Sequence, residues 1–371
     1  MADGPWNEDA LEDDATPRNT IYTHSMNDPL GGSRAAHRSE RTDATALTVA
    51  DRGGGFIILP GTYSSDFRDQ GASQATFGRA RVLLAGASGT GSVGALFADR
   101  NYVDGSSNRV ASVDAVDKPS NEMRLRAQGM ASQTRDAMAG SRSNSYAIVT
   151  DGFDDNGSVY LYARYTAIAP KFRADNSILA QNGYSTLELE SRQCQKVEGF
   201  FNQMCPGLNA KEQRAWNNTP LNRYVTPVLT LNGKRNSFWN VQPRWLNYTR
   251  TRDGGAWHHI PTLFARGESN PNTRFPYLFF ESECGRGVDL ATSTRARLIG
   301  QRSMSRRNAE IYAFAVTLRS HTQAVSLVYS HKRGLGHELN VGVTHGNARA
   351  SLRPDRATTE IFAKLSWAFA N

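Results

Sequence analysis

The apolar residues of this chain recur with a period of two, and that period constrains the fold more than any other feature. In "TEIFAKLSWAFAN" (residues 358–371), Ile361, Ala363, Leu365, Trp367 and Phe369 fall on every second position, with Glu360, Lys364 and Ser366 between them. Strand side chains alternate between two faces, so this stretch carries one apolar face and one polar face. "SVYLYARY" sets Val159, Leu161, Ala163 and Tyr165 against Tyr160, Tyr162 and Arg164. "STLELESR" sets Leu187 and Leu189 against Glu188, Glu190 and Arg192. "RLRAQGMASQ" opposes Leu125, Ala127, Gly129 and Ala131 to Arg124, Arg126, Gln128 and Ser132, and "ELNVGVTHG" opposes Leu339, Val341 and Val343 to Asn340, Gly342 and Thr344. Such runs read as half-buried antiparallel strands.

Turn chemistry separates the runs. "FDDNGS" places Asn156-Gly157 between two alternating segments, the strongest short hairpin signal. "DGSSN" (104–108) and "RGLG" (333–336) mark further turns. Helical patterns are nearly absent; "LNAKEQRAWNN" (208–218), bounded by Pro206 and Pro220, reads as a short helix or a loop. Roughly fourteen strand candidates result, many of about ten residues, a length that suits a tilted membrane-spanning strand better than the usual five or six. Tyr102, Tyr146, Tyr184, Trp239, Trp245, Tyr329 and Trp367 lie near candidate strand ends, as interfacial aromatic girdles require. Aromatics also favour strands in general, so the pattern alone leaves a membrane barrel and a soluble β-protein both open.

Composition narrows the function classes. Hydrophobic residues make up 39% and the mean hydropathy is −0.53. No apolar run reaches about 18 residues, so no transmembrane helix is predicted; a barrel, whose strands alternate, is not excluded by that. The net charge is +8, but the arginines are scattered singly beside Asp and Glu with no basic block. Lumen-lining or solvated arginine, or loops meeting anionic lipopolysaccharide, fit this better than nucleic-acid binding. Of the three cysteines, Cys194 and Cys205 could bridge a hairpin in an oxidising compartment, although an odd count argues against a planned disulfide framework. Residues 1–20 are acidic and polar, lack the features of a secretory signal, and are expected to be disordered ahead of one domain over residues 21–371.

Several stretches are more specific than alternation. "VADRGGGFIILPGTYSSDF" (49–67), "GALFADRNYVDGSSNRVASVDA" (94–115), "FRADNSILAQNGYSTLELE" (172–190) and "RLIGQRSMSRRNAEIYAFAV" (297–316) occur in order ahead of the closing "EIFAKLSWAFA". From about residue 21 onward the chain resembles the C-terminal barrel region of the family catalogued as domain of unknown function 5916. Its members often carry a family 9 carbohydrate-binding-like module upstream, and that module is absent here. The resemblance implies an all-β, antiparallel up-and-down transmembrane barrel in a bacterial outer membrane, conditional on export signals upstream. It supplies no substrate, catalytic residue or cofactor. "DRGGG" (51–55) and "FRADN" (172–176) are its landmarks, read locally as a bulge or tight turn and as a turn outside a strand. Between Glu283 and Arg297 the chain carries less strand-like sequence than the family, so a hairpin is expected to be missing and the barrel incomplete. Phe369 falls short of the terminal aromatic that the barrel-assembly machinery reads.

On this reading Arg124, Arg126, Arg164, Glu188, Glu190, Arg192, Glu360 and Lys364 line the pore. Leu187, Leu189, Leu339, Val341, Ile361, Leu365, Trp367 and Phe369 face lipid. The implied partners are outer-membrane lipid and lipopolysaccharide, the assembly machinery, and a carbohydrate or other small solute. No metal site is expected: "GASGTGS" (86–92) lacks a P-loop ending, "DGFDDNG" lacks the acidic first and last ligands of a calcium loop, and His258 and His259 have no partner motif. The alternative is a soluble β-sandwich or barrel that binds carbohydrate through Trp239, Trp245 and Trp257. Glycoside hydrolysis by Glu188 and Glu190, two apart on one strand face, is the weakest reading.

Overall fold

The computed structural model describes residues 26, 28–85, 90–177, 179–250, 254–269, 277–286, 292–303, 308–319, 322–333, 337–346 and 358–367. The acidic segment 1–20 and Phe369 lie outside these residues.

Within them the chain forms one antiparallel sheet of 22 strands and a separate hairpin. The N-terminal part of the sheet runs β1 (Pro29–Arg38), β2 (Thr42–Asp51), β5 (Ser73–Ala85), β6 (Thr90–Tyr102), β7 (Ser107–Asp117), β8 (Met123–Asp136), β9 (Ser141–Asp155) and β10 (Val159–Ile168), each paired with the next. The hairpin β3 (Phe56–Leu59) and β4 (Asp66–Asp69) is inserted between β2 and β5. The meander continues through β11 (Tyr184–Gln193), the short β12 (Gln195–Lys196), β13 (Phe201–Ala215) and β14 (Pro220–Gly233). A bent stave follows: β15 (Ser237–Arg244) and β16 (Leu246–Arg250) both pair with β14, and β17 (Trp257–His259) pairs with β16. From β18 (Thr262–Ser269), which pairs with β15, the sheet runs through β19 (Tyr277–Arg286), β20 (Thr292–Ser303), β21 (Asn308–Arg319), β22 (Thr322–Arg333), β23 (His337–Gly346) and β24 (Thr358–Trp367). The sheet is an up-and-down meander not closed into a barrel: among the described residues β1 pairs only with β2, and β24 only with β23.

The expected alternation is present strand after strand. A one-residue slip would exchange the two faces of a strand, so the pattern holds each register. Residues directly opposite each other share a face, which lets one face be followed across the sheet. The open face carries Val93 and Phe97 of β6, Val113 of β7, Leu125 of β8, Ile148 of β9, Leu161 and Tyr165 of β10, and Leu187 and Leu189 of β11, all exposed. The covered face carries Ser112, Asp114, Arg126, Asp151, Arg164 and Glu188 on the same strands. These charged residues are therefore on the sheltered side, together with the buried Leu96, Ala98, Val110, Met130, Ala147 and Val149, and the bare side carries the exposed large apolar ones.

Two glycines are required locally. Gly157 adopts φ 77° at the tip of the β9–β10 hairpin, where Asn156 Oδ1 accepts from the amides of Ser158 and Val159. At Gly94 a Cβ would lie 2.8 Å from Asp114 Oδ2. Its absence lets Asp114 cross β6 to pair with Arg79 of β5 at 3.2 Å.

Three expectations are corrected. Residues 208–215, read as a helix or loop, belong to the strand β13, and only 216–219 turn. Leu208 and Ala210 alternate there with Asn209 and Lys211, and pairing to β11 and β14 outweighs the local helix formers. Pro206 lies inside β13 opposite Leu229, not at a boundary. The count of roughly fourteen strands is too low for a 22-stranded sheet, because the weakly alternating stretches at 29–51 and 237–269 also join it.

Cys194 and Cys205 are bridged, which settles the pairing left open above. The bond staples the β11–β13 connection at one end of the sheet. Closing a loop of this length contributes about 3 kcal/mol by the chain-entropy relation. Reduction with dithiothreitol is therefore expected to lower the free energy of unfolding obtained from a urea titration by about 3 kcal/mol, while circular dichroism still reports the same strand content; an unchanged urea midpoint would contradict it.

Candidate functional site

A row of charges crosses the covered face at one level. Arg126, Asp151, Arg164, Glu188 and Lys211 stand in register on β8, β9, β10, β11 and β13, alternating in sign. Arg126 Nε meets Asp151 Oδ1 at 2.8 Å, and Glu188 takes both Lys211 at 2.8 Å and Arg164 at 3.7 Å. Over the next two levels aromatic rings support the arginines: Arg124 lies 4.6 Å over Phe153, Arg192 5.0 Å over Tyr160, and Arg164 of the row itself 5.2 Å over Tyr162. Guanidinium stacking on aromatic faces holds long side chains against the wall without removing their charge. Arg192 also pairs with Glu190 at 3.3 Å.

Two chain segments fold back onto this face. Residues 169–183, which link β10 to β11, press Phe172, Ala174 and Leu179 onto Leu96, Ala98, Val110, Met130, Ala147 and Val149. Residues 52–72, which carry the β3–β4 hairpin, lie beside them; Gly61 pairs with Gln181, and Gln181 Nε2 donates to the Thr62 carbonyl at 2.7 Å. Arg100 of β6, fully buried, fastens both segments. Its Nη2 meets Asp51 Oδ2 at 2.8 Å, its Nε donates to Ser73 Oγ at 3.0 Å, and its Nη1 donates to the Asp175 carbonyl at 3.4 Å. Asp51 also accepts from Gln70 Nε2 and from the amides of Asp28 and Gly53. Tyr102 Oη donates to Asp175 Oδ2 at 2.7 Å, and Arg173 pairs with the same carboxylate. Burial works against the Arg173 guanidinium, but the Asp175 carboxylate outweighs it and holds the pKa above the ordinary arginine value.

The landmarks "DRGGG" and "FRADN" therefore meet in space. Gly53 and Gly54 both take positive φ, 89° and 90°, and the Gly53 amide donates to Asp51. Asp175 and Asn176 form the expected turn outside a strand, and they are buried, because the connection that holds them packs against the wall. Sequence reasoning missed Arg100 and Asp51 as partners; "ADRNY" ends an alternating strand, and nothing local distinguishes Arg100 from the wall arginines.

Beneath Thr62, Tyr63 and Gln181 lies a cavity of about 330 Å³ against β13, β14 and β16. Lys211, Arg244 and Arg250 are its cations, and no carboxylate lines it among the described residues. Arg244 ends a ladder along β15: Asn240 donates to Thr230 at 2.9 Å, Gln242 to Asn240 at 2.8 Å, and Arg244 Nη2 to Gln242 at 3.1 Å.

Of the residues read from sequence as pore-lining, Arg124, Arg126, Arg164, Glu188, Glu190 and Arg192 share the covered face. Glu360 and Lys364 lie on the far strand β24, opposite Thr344 and Asn340 and remote in the meander from that row. Leu187, Leu189, Leu339, Val341, Ile361 and Leu365 are all exposed, and Leu339 faces Leu365 across β23–β24. Trp367 closes β24. Two aromatics expected at the girdle point the other way: Tyr102 is buried at the Arg100 clamp, and Tyr184 packs against the folded-back core. On the open side at that end, Tyr146 and Trp216 form an edge-to-face pair at 5.9 Å. Among the described residues no group of His, Cys, Asp and Glu could hold a metal ion.

No protein-family model, curated protein or solved structure matches this chain.

Removing one partner of a buried ion pair leaves an uncompensated charge and costs about 3–5 kcal/mol. Asp51→Asn is thus expected to release residues 52–72, so that trypsin cuts after Arg52 and Arg68 at least about tenfold faster than in the parent, since local opening by 1.4 kcal/mol is already tenfold. Cleavage at the parent rate would mean that Arg100 does not hold the segment.

Proposed function

We propose that the chain is an outer-membrane β-barrel protein of the domain of unknown function 5916 family, with a charged lumen through which a small solute is bound or passed and with no enzymatic chemistry of its own. The observation that carries this reading is the sorting of residues by face on a single sheet. A soluble sheet buries its apolar face under a second layer. Here the second layer, made of residues 52–72 and 169–183, lies over the face that carries the charged row, where it buries one apolar cluster, while the continuous apolar face bears nothing among the described residues. Val113 is 63% exposed there. A bare apolar surface this extensive suits hydrocarbon and not water. Trp239, placed over Gly267 and close to Phe280, adds a ribbon of open-face aromatics, the kind of side chain that outer-membrane barrels set at the lipid boundary.

Lipid does not tolerate unpaired strand edges, so in a membrane β1 and β24 must find partners, each other being the nearest to hand in an up-and-down meander. The partners implied are outer-membrane lipid and lipopolysaccharide and the barrel-assembly machinery, with the Cys194–Cys205 bridge suited to the oxidising side of the inner membrane. A second reading, a soluble carbohydrate-binding β-protein, draws on Trp245, 63% exposed, and on the parallel stack of Tyr248 and Trp257.

Refolding with and without detergent micelles separates the two. The barrel reading expects a heat-modifiable band on unboiled gels and a strand signal only in micelles. Val113→Arg puts a charge on the apolar face, at a cost of about 2–4 kcal/mol near the midplane, and is expected to abolish most of the folded band. The same strand signal in plain buffer, indifferent to Val113→Arg, would transfer the proposal to the soluble reading.

A further inference from the structure

We infer that the cavity beneath Thr62, Tyr63 and Gln181 binds a sugar acid, or a similarly hydroxylated carboxylate of monosaccharide size. This deepens the uptake reading and rests on it for the route by which the solute arrives. The volume of about 330 Å³ is at the small end of the roughly 300–1,000 Å³ usual for small-molecule sites. A single sugar ring fits that volume.

Charge sets the sign of the ligand. Three cations line the cavity, against no carboxylate among the described residues. Lys211 is largely spoken for by Glu188 at 2.8 Å. Arg244 is not: its described partners are the Gln242 amide and the rings of Tyr224 at 5.7 Å and Phe264 at 6.0 Å, none of which neutralises it. Its Nε is buried without a hydrogen-bond acceptor. Arg250 is pinned by the carbonyls of Pro220 and Gly255, which fix its position and leave its charge. A guanidinium held in place pairs with a carboxylate through charge-assisted hydrogen bonds, stronger than those between neutral groups.

The remaining lining sets the ligand's chemistry. Asn222 presents an amide from the wall, while Gln213, Asn247 and Thr249, which donate to Gln181, the Ile260 carbonyl and the Leu221 carbonyl, keep their oxygens as acceptors for hydroxyl groups. Tyr63 and Tyr224 add aromatic rings to the lining, surface that suits the apolar side of a pyranose. The roof is fastened to the wall by Gln213 Nε2 donating to Gln181 Oε1 at 3.0 Å, so the site is formed before a ligand enters. A bare phosphate would use the cations and leave these amides and rings idle.

The test is isothermal titration of the micelle-folded chain with glucuronate, glucose and inorganic phosphate. Glucuronate is expected to bind at least tenfold more tightly than either of the others. Arg244→Gln should lower glucuronate affinity at least tenfold and leave glucose unchanged; Lys211→Gln gives a smaller loss of the same kind, and Arg223→Gln, outside the cavity lining, none. The heat-modifiable band verifies that each variant is folded. Equal affinity for glucuronate and glucose, tighter binding of phosphate, or no heat with a protein that runs as a heat-modifiable barrel would each overturn the site while leaving the barrel reading intact. Glucuronate-selective binding by a chain that folds in plain buffer would retain the site and remove the barrel.

Discussion

The pairing of Arg100 with Asp51 is the interaction on which the inside of this protein depends. Both side chains are wholly removed from solvent, an arrangement that only repays its desolvation when every remaining hydrogen-bond site is used. Here they nearly are: Asp51 takes two amides and Gln70 besides the guanidinium, and Arg100 adds Ser73 and a carbonyl of the second folded-back segment. One side chain on β6 thereby joins the end of β2, the start of β5 and residues 169–183. Buried apolar contacts from Phe172 and Leu179 supply attraction, but they are not directional. The ion pair supplies the orientation, and the roof of the Arg244 cavity, Thr62 and Gln181, inherits its position from it.

The charged row on β8 to β13 is built by a different rule. Its members alternate in sign across strands and lean on rings along them, so each arginine is balanced or supported without being sealed from solvent. Such a surface resists collapse, because drawing any one member into an apolar contact would strand its neighbour. It can therefore flank an aqueous space and keep its shape.

Much of this was legible in the chain, and the reasons differ by element. Strand character and face assignment at Leu187, Glu188, Leu189 and Glu190 follow from period two alone, since nothing but backbone pleat is needed to separate them. The turn at Asn156-Gly157 follows from local dihedral preference. What was not legible depends on distant parts of the chain. The strand at 208–215 contains good helix formers, and only its ladders to β11 and β14 decide the matter. The same holds for Asp175, whose surroundings come from β6 and β7, and for Tyr102 and Tyr184, aromatic at strand ends yet on the sheltered side under the segments above them. Arg244 was passed over because a lone arginine after proline carries no mark of the ladder that aims it.

The bridge between Gly61 and Gln181 has a kinetic meaning. Its side-chain bond joins residues 119 apart in sequence, across six strands of the meander. Hairpins can zip one after another at low entropic cost, each on the template of the last, but this contact has to wait until all the strands between its ends are laid down. The interior is thus completed last, by two loops settling together onto a finished wall. Until then a half-made sheet carries its N-terminal loop unfastened, and the commitment step of folding belongs to the lining and not to the staves.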